Sequence, residues 1–447
     1  MLRSALFTRS KRRAKPYAVA SFLAFGLTVS VYLATMSRTY GFIDRGELAA
    51  VATTLGIAHP TGYPSLTVVG HLTARLFPDV RPVLVLNLLS ALWTAASAAL
   101  AALVIHRVLR STFTTVASAS RPKNSTRKSL EADRGTSSFL VFTLASASFF
   151  GAAFIGFSTT WWSQATGFEV YSLHAVFLTL ATLTFLLYLE SLGARSSRAE
   201  FSRWGVLFPF SLGFGITNHL SMVMLAPAFA YLFFRTTGFR VHALRELARL
   251  VPGFVLGVLP YVYLPVRSSV HPRLNWGDPD TLERFLAHVT GAQFHFAVFF
   301  ETRVFRQQTQ YLANTLLSDT SVLGLVVAAM GLVILIRRAR VHALWTVTLF
   351  LTCAGLSGLY DINDIGNYYL PAFLAVAIWV AAGLAFTAER LGRKTAIAIG
   401  LLLVGLNLGR HYQAMDEREN TLAEDLTWNV LQSLPPGAVV LSNHWDY

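Results

Sequence analysis

The sequence predicts an all-α polytopic membrane protein with about 11 transmembrane helices. Three observations point there. Hydrophobic residues make up 54% of the 447 residues and charged residues only 13%, against about 25% charged in an ordinary soluble domain. Mean hydropathy is +0.50. The apolar runs are long, continuous and rich in Leu, Ala, Val and Phe, unlike the alternating segments of about ten residues that build outer-membrane barrels. A chain with so little polar surface needs a bilayer to cover it.

The first run, Ala18–Met36, follows the basic start MLRSALFTRSKRRAKPY. Its length is near the roughly 20 residues of a membrane span, and no small-residue cleavage site follows, so it reads as a retained helix rather than a signal peptide. Further runs lie at Val83–Val108, Phe139–Thr160, Ser172–Leu189, Trp204–Ile216, Leu220–Phe234, Leu250–Val266, Val322–Ile336, Leu344–Leu359, Leu370–Ala388 and Ala396–Leu408. The fifth and sixth runs are short and GITNHL joins them, which predicts a hairpin with Asn218 and His219 at its tip. No internal repeat is visible.

The charges orient these runs. With the N-terminus in the cytoplasm, 26 of the 37 Lys and Arg fall on inner segments, while 17 of the 23 acids fall outside. That is a positive-inside pattern. It predicts a multi-pass protein of the inner (cytoplasmic) membrane with an extracytoplasmic C-terminus. The net charge of +14 then belongs to loops facing anionic lipid head groups, and it argues against a nucleic-acid partner. The outer polar segments are Ser37–Arg81, Trp161–Tyr171, Arg267–Thr320 and Asp361–Tyr369. The inner loop Ser111–Ser138 reads as flexible. The tail, 410–447, reads as a short amphipathic helix, a Pro-Pro-Gly turn and a β-like AVVLS, the way a soluble module would begin. The single cysteine, Cys353, excludes an internal disulfide and argues against a cysteine metal site.

Candidate chemistry gathers on the outer side. In IDRGELAAVATTLG, Asp44 and Glu47 are three residues apart at the start of a helical pattern. Two readings stand together: a capping box, with Asp44 capping and Glu47 folding back, or carboxylates facing a cavity, where one takes a proton from a hydroxyl. In AHPTGYPS, Pro60 restrains His59 to an extended conformation, and Gly62, Tyr63 and Pro64 form a turn. His59 is either a loop hydrogen-bonder or part of the same site. Trp161 and Trp162 read as an interfacial aromatic belt. Glu169 is an acid at a membrane edge, either functional or a helix cap. Arg267 ends a run on the outer side, where it meets either lipid head groups or a bound phosphate. Asp361 and Asp364 share a very short outer loop. There is no P-loop, Rossmann fingerprint or HExxH. Nucleotide sugars and ATP are normally absent outside the cell, so a sugar-transferring enzyme there needs a lipid-borne donor.

The segments DRGE…GIAHPTGYP, RPVLVLNLLSAL, WWSQATGFEVYSLHA, LGFGITNHLSMVMLAP, LPYVYLPVR, LNWGDPDTLERFLAHVTGAQF, DIGNYYLPAF and LPPGAVVLSN occur in this order. In them the chain resembles the protein O-mannosyltransferase-like polytopic membrane family, formerly a domain of unknown function and a branch of the GT-C superfamily of glycosyltransferases. The resemblance implies a GT-C type fold over residues 1–409, with outer loops 37–82 and 267–320 and amphipathic helices in the first of them. It implies inverting transfer of a sugar, expected to be mannose, from a polyprenyl-phosphate donor to a protein Ser/Thr or an envelope-glycan hydroxyl on the extracytoplasmic face.

By the same resemblance the site centres on Asp44, Glu47 and His59, with Glu169, His219, Arg267 and Asp364 around it. Asp44 would act as base and Glu47 as its orienting or back-up group. Arg267, with His59 or His219, would steady the leaving phosphate. No cofactor is required and no metal ligand is assigned, although the two acids could hold a divalent ion. The partners are membrane lipid, the lipid-linked donor and the acceptor. Thr61 stands where the family often has a second proline. The alternative, a transporter or flippase of lipid-linked glycans, predicts polar residues along mid-helix and an internal repeat.

Overall fold

The computed structural model describes residues 15–119, 127–194, 202–298, 301–362 and 364–441. The basic start, part of the Ser111–Ser138 loop and the end of the tail lie outside them. The described residues form α-helices, with no strand longer than an isolated bridge. Helix α1 (Lys15–Thr35) leads into a loop that holds α2 (Asp44–Thr54) and α3 (Pro64–Arg75), and α4 (Pro82–Ala119) follows. The chain continues through α5 (Arg127–Gly156), the short α6 (Thr159–Trp162), α7 (Val170–Ala194), α8 (Trp204–Asn218), α9 (Ala226–Thr237) and α10 (Val241–Val258). Helices α11 (Tyr263–Ser268) and α12 (Leu282–Val289) lie in the second polar loop. Then come α13 (Thr302–Arg338), α14 (Arg340–Ser357), α15 (Leu370–Leu391), α16 (Arg393–Met415) and, in the tail, α17 (Leu422–Ser433).

All eleven expected apolar runs are helical. Among the described residues, eight helical stretches are long and apolar enough to cross a membrane. Of the other three, α8 has only 15 residues, and α14 and α16 begin on Arg340 and on Arg393 and Lys394. The bundle has two distinct ends. At one, the Ser37 N–H donates to Thr166 O (2.8 Å), Glu417 N–H to Thr35 O (2.9 Å) and Asn218 Nδ2 to Val170 O (2.8 Å). At the other, Arg107 pairs with Glu190, and Arg338 with Glu389 (2.7 Å). The acids singled out in the sequence collect at the first end.

Helix α15 is the core: almost every residue from Leu370 to Ala388 is buried. Helix α13 crosses it at Gly331 and Gly383, where a Cβ on either glycine would run into backbone of the facing helix, at Trp379 and Val327 respectively. Small residues let membrane helices approach this closely.

Three expectations need correction. Trp161 and Trp162 do not form an interfacial belt, because both are fully buried. Their indoles donate to Ser97 Oγ (2.9 Å) and Thr35 Oγ1 (3.0 Å), as buried indoles must. The segment is turned inward by Asp319, a fully buried residue of α13. Its carboxylate accepts four hydrogen bonds from the backbone and hydroxyls of Thr159 and Thr160. Asn218 and His219 are not an exposed tip either; both are buried where α8 gives way to a 3-10 turn over Leu220–Leu225. In the tail, α17 forms as expected, but 438–441 are not a strand.

The crossing gives the first prediction. Gly331→Ala or Gly383→Ala forces α13 and α15 apart, at a cost of about 1–3 kcal/mol. Thermal unfolding in detergent should show a lowered midpoint for each, and wild-type melting in both would contradict the close crossing.

Candidate functional site

The site is built from the loop between α1 and α4. Ile43 takes φ 62°, a costly conformation for a β-branched residue, and turns the chain so that Asp44 opens α2. The capping box is not formed: Ile43 is the N-cap and no side chain caps it. Glu47, one turn on and on the same face, points instead to the next loop. Its carboxylate accepts from the His59 N–H (2.8 Å) and from His59 Nδ1 (2.7 Å). The Pro60–Pro64 turn follows, with Gly62 N–H donating to His59 O (2.8 Å). Gly62 sits at φ 85°, and a Cβ there would strike His288 and Leu264; only glycine fits.

On its other side, His59 Nε2 meets the Tyr63 hydroxyl (2.8 Å) and lies 3.8 Å from Asp44 Oδ2. The Tyr63 hydroxyl donates to Pro60 O (3.2 Å), which leaves its oxygen to accept. Both ring nitrogens thus face acceptors, the pattern of an imidazolium. Burial alone would lower the His59 pKa, but the Glu47 hydrogen bond and the charges of Glu47, Asp44 and Asp364 outweigh it, and the net shift is upward.

The second polar loop clamps the first. Ile57 N–H donates to Leu274 O (2.7 Å) and Trp276 N–H to Ile57 O (3.2 Å), a short parallel bridge. The Tyr263 hydroxyl donates to Gly56 O (2.8 Å). Arg267 donates through Nε to Leu55 O (2.6 Å) and through Nη2 to Thr54 O (3.4 Å). Those carbonyls are left over at the end of α2, where a cation is favoured. Trp276 and Phe294 set their ring edges against His59, at 6.2 and 6.1 Å.

The other candidates come from the bundle end below. Asp364 accepts from the Tyr171 hydroxyl (2.7 Å) and Asn367 Nδ2 (3.5 Å). His219 bonds Ser221 Oγ through Nδ1 (2.6 Å) and packs among Tyr63, Tyr171 and Tyr368. Burial, with His174 and His59 nearby, lowers its pKa well below the usual value, so it is neutral. Glu169 precedes α7; its side chain is 12% exposed and lies 3.9 Å from Arg45 Nε. Burial raises its pKa strongly, the Asp44 charge adds to this and Arg45 opposes it.

Two cavities meet here. The larger, about 700 Å³, is lined by Asp44, His59, Tyr63, His219, Asp361 and Asp364 among others, and exposed Val223, Val298 and Leu356 stand at its edge. The smaller, about 260 Å³, shares Ile43, Asp44 and Asp364 with it and is also lined by Glu169. The structure thus gathers six of the seven sequence candidates: four line the larger cavity, Glu169 lines the smaller, and Glu47 stands behind His59. Arg267 lines neither cavity. Tyr171, Tyr368, Gln164 and Arg45 were not singled out from the sequence, although each lies inside or beside a quoted motif, and Tyr63 read only as part of a turn. One donor atom each from Asp44, Glu47 and His59 lies within 4.8 Å of the others, a set able to hold a metal ion. Two carboxylates and an imidazole suit a divalent cation.

Residues 44–241 match the family model described as Protein O-mannosyl-transferase TMEM260 N-terminal domain. The family resemblance holds. The mouse Protein O-mannosyl-transferase TMEM260 is 25% identical over 94% of this chain and 58% of its own length. The Dictyostelium discoideum protein of the same name is 20% identical over 92% of this chain and 52% of its own. The chain therefore spans a little over half the length of these curated relatives. The crystal structure of an Archaeoglobus fulgidus oligosaccharyltransferase, in complex with Zn and sulfate, superposes with TM-score 0.56 at 15% identity, covering 93% of this chain and 55% of that one. Its apo form gives 0.53. The fold is thus shared with an oligosaccharyltransferase, in keeping with a GT-C type bundle.

Two predictions follow from the clamp. Arg267→Ala removes charged hydrogen bonds worth about 1–3 kcal/mol. It should lower the melting midpoint in detergent and expose residues 55–62 to limited proteolysis, whereas a phosphate ligand would lose donor affinity at unchanged melting. His59 has a raised folded pKa, so its ion pair stabilises fully below about pH 6.5, the ordinary imidazole value, and that stability is lost as pH rises through the raised value. The melting gap between wild type and His59→Gln should narrow as pH rises through this window; a gap that is constant or widens would refute the assignment.

Proposed function

We propose that this chain forms the membrane part of a glycosyltransferase that moves a sugar, expected to be mannose, from a polyprenyl-phosphate donor to a protein Ser/Thr hydroxyl on the extracytoplasmic face of the membrane. The observation that carries this reading is the larger cavity, whose inner end holds Asp44, Asp364 and His59 while its edge is apolar. A molecule that is a phosphosugar at one end and a hydrocarbon at the other suits such a cavity. The relatives' names support the sugar and the protein acceptor, and the positive-inside pattern supports the face.

In the proposed step, the acceptor oxygen attacks the anomeric carbon as the bond from that carbon to the phosphate oxygen breaks. The bond electrons leave with the polyprenyl phosphate, the acceptor proton passes to the Asp44 carboxylate, and the anomeric centre inverts. Glu47 fixes His59, and the His59 imidazolium offers positive charge near the leaving phosphate. A divalent ion held by Asp44, Glu47 and His59 would require the neutral imidazole, and it would then supply, in place of the imidazolium, the positive charge for that phosphate.

Asp44→Asn keeps the shape of the side chain and removes the base. Loss of a positioned base lowers the rate about 10²- to 10⁴-fold. Transfer from radiolabelled polyprenyl-phosphate-mannose to a Ser/Thr peptide in liposomes should fall by that factor with donor binding retained, and full activity in the variant would remove Asp44 from this role.

A further inference from the structure

The lining of the smaller cavity is more polar than that of the larger, and the two share only Ile43, Asp44 and Asp364. A displacement with inversion brings the nucleophile in opposite the leaving group. If the lipid donor occupies the larger cavity, the acceptor hydroxyl reaches Asp44 from the smaller one. At about 260 Å³, that cavity takes a side chain and its flanking backbone, not a folded domain.

Its wall carries unmet bonding capacity. Glu169 Oε2 is shielded from solvent and has no hydrogen-bond partner, whereas buried polar atoms are nearly always paired. A ligand N–H or O–H would complete it. Beside it, the amides of Gln164 and Asn367 are joined (2.7 Å), and Asn420 is exposed at the rim. The charges are unequal. Asp44, Asp364 and Glu417 line the space against the guanidinium of Arg45, which is itself engaged by Thr166 Oγ1 (3.1 Å), while the buried carboxyl of Glu169 adds a hydrogen-bonding group rather than a charge. An anionic ligand would be repelled from every side but one.

We propose that the smaller cavity is the acceptor site, and that its carboxylates select Ser/Thr hydroxyls in neutral or basic polypeptide segments over those flanked by acids. The inference rests on the protein-acceptor reading above and adds to it a location and a charge rule.

The test uses two labelled synthetic peptides, one Ser/Thr flanked by lysines and the other by glutamates, with the full chain in nanodiscs. Binding is measured by anisotropy with no donor present. The lysine-flanked peptide should bind at least ten-fold more tightly, the gap should shrink with added salt because exposed charges are screened, Glu417→Lys should reduce the ratio, and Glu169→Gln should weaken both peptides alike. Glu417 lies in the segment after α16, so Glu417→Lys keeps the test open if Glu169→Gln does not fold. Equal binding of the two peptides, no binding of either, or a ratio unmoved by Glu417→Lys would overturn the proposal. Transfer from polyprenyl-phosphate-mannose is read separately. Charge-selective binding without transfer would support the site and count against the transferase reading.

Discussion

The grip of Glu47 on His59 holds the candidate site together. One carboxylate takes two donors, the backbone N–H and the Nδ1–H of the same residue, and so ties α2 to a turn twelve positions further on. From that tie follow the orientation of the imidazole, the contact of its other nitrogen with Tyr63, and its position beside Asp44. Burying an imidazole and two carboxylates together is costly unless they satisfy one another, and removing one partner from such a pair leaves an uncompensated charge. The geometry here meets that condition, with charged groups bonded at both ring nitrogens or within 4 Å.

The rest of the fold serves to keep this loop at the right height and angle. From above, the second polar loop holds residues 54–57 through backbone bonds, Tyr263 and Arg267. From below, Asp319 fixes the start of α6, Gln164 bonds back to Thr160 O and across to Asn367, and Asn367 reaches Asp364. A run of polar contacts from the middle of α13 therefore ends at an acid of the site. This explains how Asp44 and Asp364, more than 300 positions apart, line the same cavity. Every link in that run is buried or half-buried, where hydrogen bonds are least exposed to competition from water.

The membrane class and the helical runs were legible because composition and run length state them directly. The acids of the first loop were legible as a motif, but not their geometry. Asp44 and Glu47 at that spacing match a capping box equally well; what decided against it was His59, brought to Glu47 by the tertiary fold. Arg267 read as a lipid head-group or phosphate contact because an arginine expected on the outer side departs from the positive-inside pattern. The structure answers that violation with carbonyls at the end of α2, a demand that no local pattern encodes. The tryptophan pair failed for a related reason: aromatic residues at a helix end suit an interface and a buried corner alike, and only the distant Asp319 chose between them. Asp319 itself was hidden by its flanking Ser and Thr residues, which read as a loop.

The distribution of positive charge bears on how the proposed transfer would run. Among the described residues, neither arginine nor lysine lines the larger cavity. The phosphate gains negative charge as its bond to the sugar breaks, so a cation beside it is favoured more in the transition state than before it. In the proposed step the His59 imidazolium takes that place, its charge supported by the acids around it. The same imidazolium lies 3.8 Å from Asp44, the base of the proposed step. Departure of the phosphate leaves the sugar carbon electron-poor, and the attacking hydroxyl becomes acidic as it bonds to it. A carboxylate already in place then suffices as the base, and the contacts from Glu47 to His59 to Asp44 hold it there.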